Sequence, residues 1–203
     1  RGSGNTKAVR DYLAGFAKER GLEYYPDALI IIIIIGPATP GYENSEPVTI
    51  QGHMDMVCEK APGCTKDMEK EGLDLAVEGD TVFARGTTLG ADDGIAVAMA
   101  LAVLDSDDLP HPRVEAVITV DEEVGMDGAM GIDLSPLKGK ALINIDSEDE
   151  GIFTVSCAGG AHVECTLPVT FESFAGTALD IAVTGLLGGH SGAEIDKGRA
   201  SSN

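Results

Sequence analysis

The sequence predicts an α/β fold on a mostly parallel sheet, followed by the start of a second, α+β domain. Short apolar runs alternate with helical patterns as far as Gly151. Strands alternating with helices imply layers packed on a mostly parallel sheet. Beyond Gly151 the pattern changes to consecutive strand-like segments with few helical signals.

The elements follow in order. Over residues 5–20, Val9, Tyr12, Leu13, Phe16 and Ala17 recur at helical spacing and Gly21 supplies a stop. Ile30 to Ile35 is a run of six isoleucines, too short to span a bilayer and too β-branched to prefer helix, so it reads as a buried strand. Pro37, Pro40 and Gly41 mark a loop before a strand at 48–51. A polar connector leads to a short strand at 81–84, an Ala-rich helix at 94–104, and strands at 114–120 and 141–145. Further strands are expected near 153–157, 162–167 and 178–183. The first domain is assigned to residues 1–157 and the second to 158–203.

Composition narrows the function classes. Against 34 acidic residues stand 14 basic ones, a net charge of -20 that repels phosphate backbones and anionic bilayers. Nucleic acid and membrane surfaces are therefore not expected partners. No apolar stretch of about 18 residues appears, so neither a membrane span nor a secretory leader is expected. The four cysteines, at 58, 64, 157 and 165, form no C-x-x-C pair and read as reduced thiols, which favours the cytosol.

The chemistry gathers at the ends of the expected strands. His53 and Asp55 follow the strand at 48–51, two apart and so on one side of an extended segment. A metal-ligating histidine usually donates its other ring N–H to a carboxylate or carbonyl, a role open to Asp55. A Gly-rich turn from Gly86 to Gly94 carries Asp92 and Asp93 into a helix. Taken singly these are helix-capping acids, but a Gly-bracketed pair also has the backbone freedom that a bridging carboxylate needs. Asp121, Glu122 and Glu123 follow the strand at 114–120. One glutamate there can bind metal while its neighbour serves as general base. Asp146 ends the strand at 141–145. Each cluster alone is compatible with a solvated strand end. Together they put one histidine and several carboxylates at the carboxyl edge of a sheet, where open α/β folds bind ligands. That donor set suits Zn²⁺, Mn²⁺ or Co²⁺, and a carboxylate bridging two ions about 3.5–4 Å apart is the usual co-catalytic design.

The segments Gly52-His53-Met54-Asp55-Met56-Val57, Gly86-Thr87-Thr88-Leu89-Gly90-Ala91-Asp92, Asp121-Glu122-Glu123, Asn144-Ile145-Asp146-Ser147 and Gly189-His190-Ser191-Gly192 resemble those of aminoacyl-histidine dipeptidases. These Xaa-His dipeptidases, or carnosinases, belong to the M20 metallopeptidase clan. The resemblance runs along the whole chain with the segments in family order. It implies a zinc-peptidase catalytic domain followed by the start of a lid domain, in a protein that forms homodimers. By this resemblance His53, Asp92, Glu123 and Asp146 would hold two Zn²⁺ ions, with Mn²⁺ or Co²⁺ as alternatives, and Asp92 would bridge them. Glu122 would be the general base, Asp55 would orient His53, and His190 would hold the substrate carbonyl or its oxyanion.

The activity this implies is metal-dependent hydrolysis of dipeptides, Xaa-His substrates among them, in the cytoplasm. Two other readings stand beside it: an N-acyl amino-acid deacylase of the same clan, and an inactive segment that keeps the fold. Some residues depart from the family pattern. Asp93 stands where many relatives carry Asn, Asp196 near where they carry His, and the isoleucine run replaces a more mixed strand. The family supplies a further metal-binding histidine beyond the position of Asn203. The sequence is accordingly expected to be part of a longer chain and to hydrolyse dipeptides poorly alone.

Overall fold

The computed structural model describes residues 1–26, 30–147, 150–157, 159, 161, 163–188 and 197–200. The chain divides into two compact units, Arg1–Glu148 and Asp149–Asn203. Among the described residues no helix is long and apolar enough to cross a membrane. All four cysteines are free thiols.

The first unit opens with helix α1, Lys7–Glu19, which buries Leu13, Phe16 and Ala17 on one face. Tyr12, expected on that face, is exposed instead. A short strand β1, Glu23–Pro26, follows, then β2, Ile32–Gly36, and β3, Val48–His53. The connector after β3 carries a hairpin of β4, Leu75–Glu78, and β5, Thr81–Ala84, before helix α2, Ala91–Asp105. Strand β6 is Val114–Thr119, followed by a single 3-10 turn at Glu122–Val124 and the short helix α3, Asp127–Gly131. Strand β7, Ala141–Asn144, completes the unit.

The main sheet has the order β1-β2-β6-β3-β7. β2 pairs antiparallel with both of its neighbours, whereas β3 pairs parallel with β6 and β7. Four of the five strands therefore run in one direction and β2 alone opposes them, the α/β architecture expected from the strand–helix alternation. The isoleucine run lies inside this sheet. Ile32 and Ile34 pack with Leu13, Ala17, Ala100 and Ile118, while Ile33 and Ile35 pack with Val117 and Leu137 on the other face. Burial on both faces removes the polar half of the usual strand alternation. Why one side chain fills every position has no structural account.

The parallel part of the sheet positions the site. Register pairs His53 with Thr119 across β3 and β6, and Gln51 with Asn144 across β3 and β7. The residues that follow these three strands must therefore emerge side by side at one edge. Helix α2 approaches the same edge because its small residues allow it. Ala96 and Ala100 are buried, and a Cβ added at Gly52 would lie 2.6 Å from the Ala96 Cβ. Dihedral angles at Asp92 and Asp93 are not helical, so the regular turns begin at Gly94, where the Ala-rich pattern starts.

The second unit differs from the sequence expectation. Its described residues form neither helix nor strand, although strands were expected near 153–157, 162–167 and 178–183. Phe153, Val155, Phe171 and Ile181 are almost fully exposed. An extended segment becomes a strand only when a neighbour takes its backbone hydrogen bonds and a layer covers its apolar side chains. Neither is supplied among the described residues of this unit.

Candidate metal centre

The imidazole of His53 is completely buried, at 0% exposure, at the carboxyl end of β3. Its Nδ1 lies 3.0 Å from the main-chain oxygen of Asp55 and 3.4 Å from Asp55 Oδ1. A carbonyl oxygen can only accept, so Nδ1 carries the proton, and in the neutral ring Nε2 presents its lone pair. That nitrogen faces carboxylates from three other segments: Asp92 Oδ1 at 3.0 Å, Glu122 Oε2 at 3.8 Å and Asp146 Oδ1 at 3.9 Å. Two ligand-type groupings result, His53 with Asp92 and Glu123, and His53 with Asp93 and Asp146. Within each, the donor atoms lie within 4.8 Å of one another.

Each side chain has a local cause for its position. Asp146 comes two residues after β7, whose ladder is extended by the Ile145 N–H donating to the Gln51 carbonyl at 3.4 Å. Glu122 and Glu123 sit in the 3-10 turn after β6, entered through Asp121 in a left-handed conformation at φ 57°. Asp92 and Asp93 enter from Gly90, at φ 75°, a conformation that glycine adopts at little cost. The peptide between Asp92 and Asp93 is cis.

Asp55 is held by several donors at once. It accepts the Ser3 hydroxyl at 2.7 Å and the N–H groups of Glu122 at 3.3 Å and Glu123 at 3.4 Å. Burial opposes its ionisation, but the bonds from His53, Ser3 and these two N–H groups bring its pKa down to about 2. Burial and the Asp146 charge push Asp93 up to about 7. Asp146 is raised to about 6 by burial, opposed by His53 and reinforced by Asp92 and Glu122. Glu123 is raised by burial and by Asp92. Burial on its own would lower His53, yet its bond to Asp55 and the charges of Asp55, Asp146 and Asp93 lift it to about 10.

The raised carboxyl groups share two causes, burial first and then the crowding of several carboxylates around one imidazole in a small space. A divalent cation is the group such a space fits, since it relieves the repulsion and takes the lone pair of Nε2. A second observation agrees. Asp93 Oδ1 is buried with no hydrogen-bond partner among the described residues, while its Oδ2 accepts the His53 N–H at 3.2 Å. Buried polar atoms without partners are rare in folded proteins.

Of the residues expected from sequence to form the site, His53, Asp55, Asp92, Glu122, Glu123 and Asp146 come together. His190 lies outside the described residues. Two participants were not among the expected site residues: Asp93, noted as half of a Gly-bracketed acid pair and as a departure from the family pattern, and Ser3. The pair of adjacent acids was the available signal for Asp93, and a lone serine fifty-two positions from its partner offers none.

Residues 49–195 match the profile of peptidase family M20/M25/M40. The chain belongs to this family. Membership in M20/M25/M40 carries a dependence on divalent metal, in keeping with the donor set around His53. The chain is 42% identical over 202 residues to the cytosol non-specific dipeptidase of Escherichia coli, covering 96% of this chain and 41% of that protein. Among solved structures it is similar to the aminoacylhistidine dipeptidase from Vibrio alginolyticus, with a TM-score of 0.72 and 41% identity over 74% of this chain and 31% of that one. It is also similar to the aminopeptidase PepT from Bacillus cereus, with a TM-score of 0.60 and 25% identity over 73% of this chain and 40% of that one.

Proposed function

We propose that this chain supplies the metal-binding catalytic site of a cytoplasmic dipeptidase that hydrolyses short peptides, Xaa-His dipeptides among them. The observation that carries the reading is the convergence on His53 Nε2 of Asp92, Glu122 and Asp146 from three separate segments. In this reading His53, Asp92, Glu123 and Asp146 would hold two divalent ions, Zn²⁺ with Mn²⁺ or Co²⁺ as alternatives, and Asp92 would be a ligand shared by both. When bound, such ions polarise the scissile carbonyl and bring the pKa of water towards neutrality.

The remaining chemistry belongs to side chains. Glu122 is about one-third exposed, so it reaches the cleft while its main chain is fixed by Asp55. Its carboxylate takes a proton from the attacking water as the new C–O bond forms, and passes that proton to the amine nitrogen as the C–N bond breaks. Asp55 holds the His53 ring so that Nε2 points inward. His190 would bind the substrate carbonyl from a second domain whose start is assigned to residues 158–203, in a protein that acts as a homodimer. The names of the E. coli and V. alginolyticus relatives support the dipeptide end of this reading.

The test is a substrate panel assayed with added Zn²⁺, Mn²⁺ or Co²⁺: β-alanyl-histidine, other unmodified dipeptides and N-acyl amino acids. Chelator-sensitive release of histidine from Xaa-His dipeptides is the expected result. Turnover of N-acyl amino acids without turnover of dipeptides would assign the site to deacylation instead.

A further inference from the structure

We infer that Ser3 is a positioning residue for the metal centre, acting through Asp55; the inference rests on the metal-site reading above. The Ser3 hydroxyl donates to Asp55 Oδ2 at 2.7 Å. The only other donor to that oxygen among the described residues is the Glu123 N–H, at 3.4 Å. Oδ1 faces the Glu122 N–H at 3.3 Å and His53 Nδ1 at 3.4 Å. A carboxylate rotates easily about its last bond because that torsion has broad minima. The short bond from Ser3 fixes the rotation. It leaves Oδ1 turned towards His53 and Glu122, so one hydroxyl sets the geometry on both sides of the site.

Ser3 is itself held by the segment around it. Gly2 forms a parallel bridge with Met56, and the Met56 N–H donates to the Arg1 carbonyl at 3.1 Å. The Gly4 N–H donates to Asp121 Oδ1 at 2.6 Å. A Cβ at Gly2 would lie 2.8 Å from Cys58 Sγ and 3.7 Å from the Met56 carbonyl oxygen, so this segment lies against the loop after β3. The segment thus ties together the loop after β3, which carries Asp55, and the turn after β6, which carries Glu122 and Glu123. A hydroxyl that merely filled space would leave the metal indifferent to its loss. One that orients Asp55 would not, since partners of this kind typically contribute about 10–100-fold to metal affinity.

The experiment compares the parent protein with Ser3→Ala, Ser3→Thr and Ser3→Val. Co²⁺ affinity is measured by competition with a chromophoric chelator, the visible absorption of bound Co²⁺ is recorded, and the melting temperature of each metal-free protein is taken. Thr and Val have one shape and differ in the hydroxyl, so that pair decides the question even if Ser3→Ala proves unstable. The expected result is parental affinity and spectrum in Ser3→Thr, with affinity about 10–100-fold weaker and an altered spectrum in Ser3→Ala and Ser3→Val. Equal affinity and spectrum in Ser3→Thr and Ser3→Val, whatever their melting temperatures, would overturn the inference. Failure of the parent protein to bind Co²⁺ would overturn the metal-site reading itself, and this inference with it.

Discussion

His53 Nδ1 lies 3.0 Å from the main-chain oxygen of Asp55, two residues further along the chain, and this contact commits the opposite nitrogen of the buried ring to the carboxylates around it. The Asp55 side chain adds a second hold while fixing the Glu122 and Glu123 N–H groups. Replacing Asp55 with Asn turns one acceptor oxygen into a donor facing N–H groups. Isothermal titration should show Zn²⁺ affinity reduced by about 10–100-fold, the usual loss on removing an outer partner of a metal ligand.

Glu122 and Glu123 are neighbours with different expected roles. Glu122→Gln should lower kcat by about 10²–10⁴-fold, the range for losing a general base, and leave metal content unchanged. Glu123→Gln should lower metal content measured by atomic absorption. The opposite pattern would reverse the two assignments.

Gly52 marks where α2 and β3 meet. An added Cβ would lie 2.6 Å from both the Ala96 Cβ and Asp93 Oδ2, and the Ala96 methyl cannot rotate out of the way. Gly52→Ala should therefore destabilise the fold by about 1–3 kcal/mol, the usual range for overpacking. Urea denaturation with a reduced midpoint is the readout.

Much of this site was legible because its main residues follow strands whose apolar runs are unmistakable, and strands in parallel register deliver their following residues to one edge. His53, Glu122, Glu123 and Asp146 needed only that rule. What the sequence did not announce depends on contacts between distant segments. Strand β1 is four residues long and ends in Pro26, so it carries no clear period. β4 has only Ala76 buried and reads as polar connector. Ser3 became recognisable only when the fold placed it beside Asp55. The expected strands of the second unit failed for the converse reason: their alternation is present, but no pairing partner is formed among the described residues.

At the amino end of β6, away from the metal centre, Glu115 is fully buried. It accepts bonds from Arg113 Nε at 2.8 Å, the Lys138 N–H at 2.9 Å and the Gly139 N–H at 3.0 Å. Burial alone would raise its pKa, but these donors hold it below the ordinary value of 4.5. A carboxyl group lowered in this way stabilises the fold above its ordinary pKa, and the contribution is lost as pH falls through the lowered value. Denaturation followed from pH 7 downwards should show the parent losing stability below about pH 4.5. Glu115→Gln should be less stable at pH 7 and lack that part of the slope.

In the proposed site, the carboxyl edge of β3, β6 and β7 holds divalent metal on His53 and its surrounding carboxylates. Anomalous diffraction from crystals grown with Zn²⁺, recorded on both sides of the zinc absorption edge, tests it most directly. An edge-dependent peak is expected about 2.0–2.1 Å from His53 Nε2, within coordination reach of Asp92. Zinc peaks elsewhere on the protein, with none at His53 Nε2, would contradict it.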